Sequence, residues 1–347
     1  APDTQTAGVS FRITVNGCDF SWNKITTDTS SKIKIITSDP YDTHPASNFL
    51  QAGTTFFHPT LITAATYWTI TASTDTTAAA QNYLPNTSSL LTIAPNVKDR
   101  LQVLVPNETA VPGDVTNNGK TGAITTKIAG QTFTITVNGV DQFYNKKADD
   151  SATSIVLTVT DAYDEPPSQN LVFSQGQQTF NITPVSVSTF TQVRGVGTGY
   201  SDGWSGNINV THTTPNRLQV ILPGETAVQG KWNNGTNPAP YGKTGTPNPQ
   251  TAGTLFTVTV NGVDTYWNKI TSLPQSTTTI KLDTSDIYDI NPANKALTGG
   301  STTFSITLVT VSTYTVAIAS DATVNYYPND PNSSELVSVV PGAKSKL

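Results

Sequence analysis

Apolar and polar residues alternate over short runs along this chain. In LFTVTVNGV, 255–263, the apolar Phe256, Val258 and Val260 are spaced by threonine. Phe11, Ile13 and Val15 repeat the pattern, as do Phe133, Ile135 and Val137. A period of two places one face on a core and the other toward water, as a half-buried strand requires. RLQVILP, 217–223, reads the same way, with its glutamine turned outward. TTIKLDT, TTFSITLVTV, YTVAIAS and ELVSVVP predict further strands, separated by Gly, Pro, Asn and Asp. GETAVQG and the Gly/Pro/Asn-rich stretch to Gly253 predict a long loop or linker. No run carries a helical period. About six or seven short strands at near-regular spacing predict an all-β protein built from antiparallel β-sandwiches.

The strand pattern recurs as a block. NGCDFSWNK (16–24), NGVDQFYNK (138–146) and NGVDTYWNK (261–269) lie 122 and 123 residues apart. That spacing matches a whole domain and exceeds a solenoid repeat of about 20 to 50 residues. Downstream of each, IKIITSDPYDTHPA, IVLTVTDAYDEPPS and IKLDTSDIYDINPA align on Tyr41, Tyr163 and Tyr288. A join segment, RLQVLVPNETAVPG from Arg100 and RLQVILPGETAVQG from Arg217, opens two of the copies, and Lys346–Leu347 resembles the start of another. The expected domains are 1–99, which lacks the opening strand segment, 100–216, and 217–347. The chain reads either as a fragment of a longer array or as a subunit whose incomplete first sheet takes a strand from a neighbour. The second reading makes a head-to-tail filament.

Only 12% of residues are charged, against a usual share of about 25%. Thr, Ser, Asn and Val take their place, which suits strands. The net charge of −5 is spread thinly and argues against a nucleic-acid partner. No apolar run reaches the roughly 18 residues of a membrane span, and no signal peptide is recognisable. One cysteine allows no internal disulfide, so stability must come from ordinary cores.

The run FTVTVNGVDTYWNK…TSDIYDINPA…LTGGSTTFSITLVTVSTYTVAIAS resembles bacterial Ig-like repeats of the invasin and intimin type. The resemblance covers all three copies. It implies tandem Ig-like sandwiches of the sort found in surface adhesins, stalks, surface-layer proteins and accessory regions of secreted enzymes. Trp22, Tyr144 and Trp267 stand where that family's turn commonly carries glycine.

Candidate chemistry is sparse. His44, His58 and His212 align with no other histidine, and no nucleophile or metal motif accompanies them. Cys18 occupies the slot of Val140 and Val263 and is expected to be a small buried hydrophobe. No cofactor is implied beyond calcium, for which the pairs Asp39 and Asp42, Asp161 and Asp164, and Asp286 and Asp289 are candidates; Glu108 and Glu225 could add ligands. The competing role for these aspartates is turn capping. Lys24, Lys146 and Lys269 are turn lysines with no identifiable isopeptide partner. Asn86, Asn107, Asn181, Asn209, Asn234 and Asn332 open Asn-x-Ser/Thr triplets and are glycosylation candidates. Tyr200, Trp204 and Trp232 are the candidates for an exposed aromatic contact patch.

Together these features predict a non-enzymatic, extracellular or cell-surface structural protein, a stalk or fibre segment whose partners are copies of itself or neighbouring repeats. The alternatives are an adhesin or carbohydrate-binding array that meets host or matrix glycans, and an accessory region of a larger secreted enzyme.

Overall fold

The computed structural model describes residues 2–75, 82–166, 168–271, 278–315, 317–322 and 332–343. The side chain of Asn332 and the pair Lys346–Leu347 lie outside them. The described residues are all-β, and no helix among them is long and apolar enough to cross a membrane.

Repeat 2 shows the full pattern. Arg100–Leu104, Phe133–Val140 and Gln177–Ile182 form one antiparallel sheet. Ser168–Val172, Ser154–Val159, Val193–Gly197 and Gly203–Trp204 form the second. Ser188–Thr191 and Lys127–Ile128 flank Ile208–Thr211 in a third, smaller sheet, and there Lys127–Ile128 runs parallel to its partner. Repeat 3 has the same three sheets. Among the described residues the expected antiparallel arrangement therefore holds except for one short parallel strand pair per repeat, at Gln5↔Ile93, Lys127↔Val210 and Gln250↔Val339, and an isolated parallel bridge at Arg100↔Ser201.

Three hydrophobic clusters follow the three repeats. Phe57, Phe180 and Phe304 occupy equivalent buried places in them, as do Ile35, Leu157 and Leu282. Each cluster removes alternate side chains of facing sheets from water, which supplies most of the stabilisation available to a sandwich.

The join segments differ from expectation. Leu101, Gln102 and Val103 are all buried, as are Leu218, Gln219 and Val220. The glutamines do not face water because the stretch after the join folds back over them. That stretch is not a plain linker: Glu225–Ala227 pairs with Lys243–Gly245, and Thr109–Ala110 with Lys120–Thr121. Gln102 donates to the Gly119 carbonyl at 2.6 Å and accepts from Asn138 at 3.1 Å; Gln219, Gly242 and Asn261 repeat the arrangement. A buried amide so satisfied carries little desolvation penalty.

Repeat 1 is thinner. Among the described residues Ile13–Asn16 pairs with Thr54–Phe57 alone, so this sheet has two strands where its counterparts in repeats 2 and 3 have three. Ile13 and Val15 are only half-buried in consequence, whereas Ile135 and Val137 are fully enclosed. Cys18 is likewise half-buried and not enclosed as Val140 and Val263 are.

Candidate functional site: the junctions between repeats

The block that repeats most clearly builds the joints. In NGVDQFYNK, Asp141 Oδ1 accepts the amides of Phe143 and Asn145, both at 2.9 Å, and so closes the turn on itself. Asp264 does the same with Tyr266 and Asn268, and Asp19 with Ser21 and Asn23. The turn puts Tyr144, Trp267 and Trp22 in the left-handed region, at φ 63°, 66° and 64°. Bulky residues rarely adopt that conformation. It is the backbone a glycine would supply, so the turn keeps its shape with an aromatic in place. The aromatic is held from outside: the guanidinium of Arg100 lies 5.1 Å from the Tyr144 ring centre, and that of Arg217 lies 4.7 Å from Trp267.

The closed turn then reaches across to the preceding repeat. Asn145 donates to the Ile62 carbonyl and accepts from the Ala64 amide, both at 2.8 Å. Asn268 donates to the Val185 carbonyl at 2.7 Å and accepts from the Val187 amide at 2.9 Å. The second oxygen of Asp141 accepts the Asn96 amide, and that of Asp264 accepts the Thr213 amide. All four side chains are fully buried. Phe143 packs against the cluster of repeat 1 and Tyr266 against that of repeat 2. Each seats on a left-handed glycine, Gly8 or Gly130, where a Cβ would overlap the ring. The same block in repeat 1 has no preceding partner among the described residues; Phe20 and Trp22 stand exposed.

The acidic pairs serve the other side of each joint. Asp39 accepts the amides of Tyr41, Ile62 and Thr63 and the Thr63 hydroxyl. Asp161 and Asp286 hold Val185–Ser186 and Val309–Thr310 in the same way. Burial raises the Asp286 carboxyl's pKa, but the hydrogen bonds from Thr310, Val309 and Tyr288 outweigh it and bring it down to about 2. These oxygens face N–H and O–H donors, which a cation would have to displace. Asp42 and Asp289 each accept a threonine hydroxyl, Thr37 and Thr284. Asp164 accepts the Thr183 amide, and burial, with Asp161 and Glu165 nearby, pushes its pKa up to about 7. No group of three or more metal-binding side chains occurs among the described residues. Glu108 and Glu225 form ion pairs instead, at 2.9 Å with Lys120 and 2.8 Å with Lys243.

The aromatic candidates separate. Tyr200 is not an exposed contact residue: it is 8% exposed, and its hydroxyl donates to Asp150 at 2.8 Å. Tyr83 makes the same bond to Asp28 in repeat 1 at 2.7 Å, a recurrence that could have marked Tyr200 as interior. Trp232 is half-buried and stacks edge-on with Tyr266 at 5.1 Å, on the second junction. Trp204 alone is exposed, under Arg194. Among the glycosylation candidates, Asn86, Asn107, Asn181 and Asn209 are exposed, whereas Asn234 is half-buried and bonded to Glu165. His44 lies 3.7 Å from Asp42, and His212 contacts the Thr213 carbonyl. Lys24 and Lys146 reach Thr54 and Gln177, not asparagine.

No protein-family model matches the chain, and no curated protein matches it. Solved structures do. The Escherichia coli adhesin FdeC is 14% identical, with 98% of this chain and 95% of that chain covered and a TM-score of 0.33. Invasin, described as a bacterial integrin-binding protein, is 12% identical over 98% of this chain and 58% of its own, with a TM-score of 0.30. The Yersinia pseudotuberculosis adhesin InvE is 16% identical over 72% and 73%, with a TM-score of 0.24.

Proposed function

We propose that this chain is a structural segment of an extracellular surface protein: three β-sandwich domains, 1–99, 100–216 and 217–347, strung into a stiff stalk or fibre. The observation that carries the reading is the double hydrogen bond of Asn145 and Asn268 to the preceding repeat, backed by a buried aspartate and a seated aromatic. Loosely linked domains do not bury such groups at their contacts. The reading assigns no catalysis. Small-angle scattering tests it: a rod profile is expected, and scattering of freely jointed beads would overturn it.

The stalk extends further by strand donation. Among the described residues Ile13–Asn16 has an unpaired edge, and such edges accept a strand from another molecule. Electron microscopy of concentrated protein should show end-to-end filaments; isolated rods would overturn donation and leave the stalk reading standing. An adhesin or glycan-binding role has the exposed Trp204 as its single aromatic support among the three residues considered.

A further inference from the structure

We infer that repeat 2 carries a saccharide-binding cleft on the seam between its two larger sheets, shaped for a neutral pyranose ring with equatorial hydroxyls and floored on one side by Trp204. The inference goes beyond the stalk; it deepens the glycan-binding reading and rests on it.

The seam lies between the join strand Arg100–Leu104 and the edge strand Gly203–Trp204, which belong to different sheets. A Cβ on Gly203 would stand 2.5 Å from the Leu101 carbonyl oxygen, so glycine lets the two strands close on each other. A cavity of about 410 Å³ opens over this seam. Small-molecule sites usually measure about 300–1,000 Å³. Its lining brings Asn118 from the loop after the join and Tyr144 from the NG turn together with Arg100, Asp202 and Trp204.

Trp204 is 49% exposed, an unusual cost for an indole unless something covers it. Its orientation is fixed in advance. The Arg194 guanidinium lies 5.5 Å from the ring centre, and Arg194 Nε donates to Asp202 at 2.9 Å. An indole face is electron-rich, and the C–H bonds of a pyranose face are weakly positive. Equatorial hydroxyls lie near the plane of the sugar ring and leave both faces to C–H, so such a ring stacks on tryptophan and points its hydroxyls sideways. The other lining residues offer what those hydroxyls need. Tyr144 donates to Asn118 Oδ1 at 3.3 Å, which leaves the Asn118 amide nitrogen as a donor. Arg194 engages Asp202 Oδ2 and leaves Oδ1 as an acceptor. Arg100 uses Nε on Asp99 and one terminal nitrogen on Tyr144, which leaves the other. A flat amide, carboxylate and guanidinium suit neighbouring hydroxyls, each of which both donates and accepts.

The charges decide the class of sugar. Arg100 pairs with Asp99, Lys120 with Glu108 and Arg194 with Asp202. Paired charges exert no net pull on an acidic sugar, so the ligand is neutral. The framework does not require this tryptophan. Trp204 pairs with Arg194, whereas Ser333 pairs with Ile318 and Thr87 with Thr71 at the equivalent places in repeats 3 and 1. One site per chain follows.

The probe is cellotriose, a neutral β-linked glucose trimer, followed by saturation-transfer NMR and calorimetry on the full chain. One trimer per chain is expected. Trp204→Ser installs the residue that repeat 3 already carries, and should weaken binding at least ten-fold with unchanged melting. Asn118→Gly suits the left-handed backbone there, at φ 55°, removes the amide and should also weaken binding. Methyl β-glucuronoside should bind no better than methyl β-glucoside. Absence of cellotriose binding, binding indifferent to Trp204→Ser, or a preference for the glucuronoside would each overturn this site. Binding elsewhere on the chain would leave the glycan-binding reading standing, and silence across an array of neutral and acidic glycans would overturn that reading as well.

Discussion

Gly130 and Tyr266 meet across the second junction so closely that a single added methyl group on the glycine would overlap the tyrosine hydroxyl. The glycine is also left-handed, at φ 76°. Gly253, its counterpart in repeat 3, is left-handed at φ 80° but has no atom within 4 Å of an added Cβ. The pair separates backbone strain from joint packing. Gly253→Ala should cost about 1 kcal/mol, the left-handed penalty alone. Gly130→Ala should cost about 2–4 kcal/mol, since overpacking adds to it. Urea unfolding measures both; equal losses would mean that the joint contributes nothing.

Asn268→Ala leaves the fully buried Asp264 without one of its donors and two backbone groups of repeat 2 unpaired. A loss of about 2–4 kcal/mol is expected, with scattering profiles shifting toward a bent ensemble. Asn23→Ala, at the exposed equivalent position, should cost less than about 1 kcal/mol.

The left-handed aromatics give an opposite-sign pair. Trp22→Gly should be neutral or stabilising by up to about 1 kcal/mol, because a strained backbone is relieved and little packing is lost. Trp267→Gly forfeits the Arg217 contact and the packing on Gly242, and should destabilise by about 2 kcal/mol. Thermal unfolding of the two variants is sufficient to compare them.

Asp164 sets a pH dependence. Its folded pKa is raised to about 7 from an ordinary 3.8, chiefly by burial. Below about pH 4 the carboxyl is neutral in both states, so burial carries no charge penalty. Between about 4 and 7 the folded state holds a proton that the unfolded state has released, so stability falls as pH rises. Above 7 the full cost is present. Asp164→Asn keeps the acceptor for the Thr183 amide and removes the charge. The variant should melt higher than the parent at pH 8, and the gap should close by pH 4. A gap independent of pH would contradict this account.

Much of this architecture was legible because β-strands announce themselves by alternation and because one block occurs three times. The limits are physical. Gln102 and Gln219 read as outward-facing residues, since alternation reports which face is polar but not that a later hairpin covers it. The hairpin itself, Glu225–Ala227 with Lys243–Gly245, lay within a stretch whose Gly and Pro content resembles a linker. Cys18 was expected to be enclosed like its valine counterparts, and only the missing third strand leaves it half open. The joint was readable in part. Asp and Asn are kept at fixed offsets in all three NG blocks while the residues between them vary, which is the mark of side chains bonding backbone. Nothing in a single copy says that the backbone belongs to the neighbouring repeat.

The placement of the join strand has a mechanical corollary. Tension enters repeat 2 through Arg100–Leu104 and leaves through Ile208–Thr211, and each lies lengthwise against its neighbours, the first paired residue by residue with Thr136 to Val140. A pull along the chain strains those rungs sideways and together, instead of peeling them one by one, so the sandwich should yield at high force and all at once.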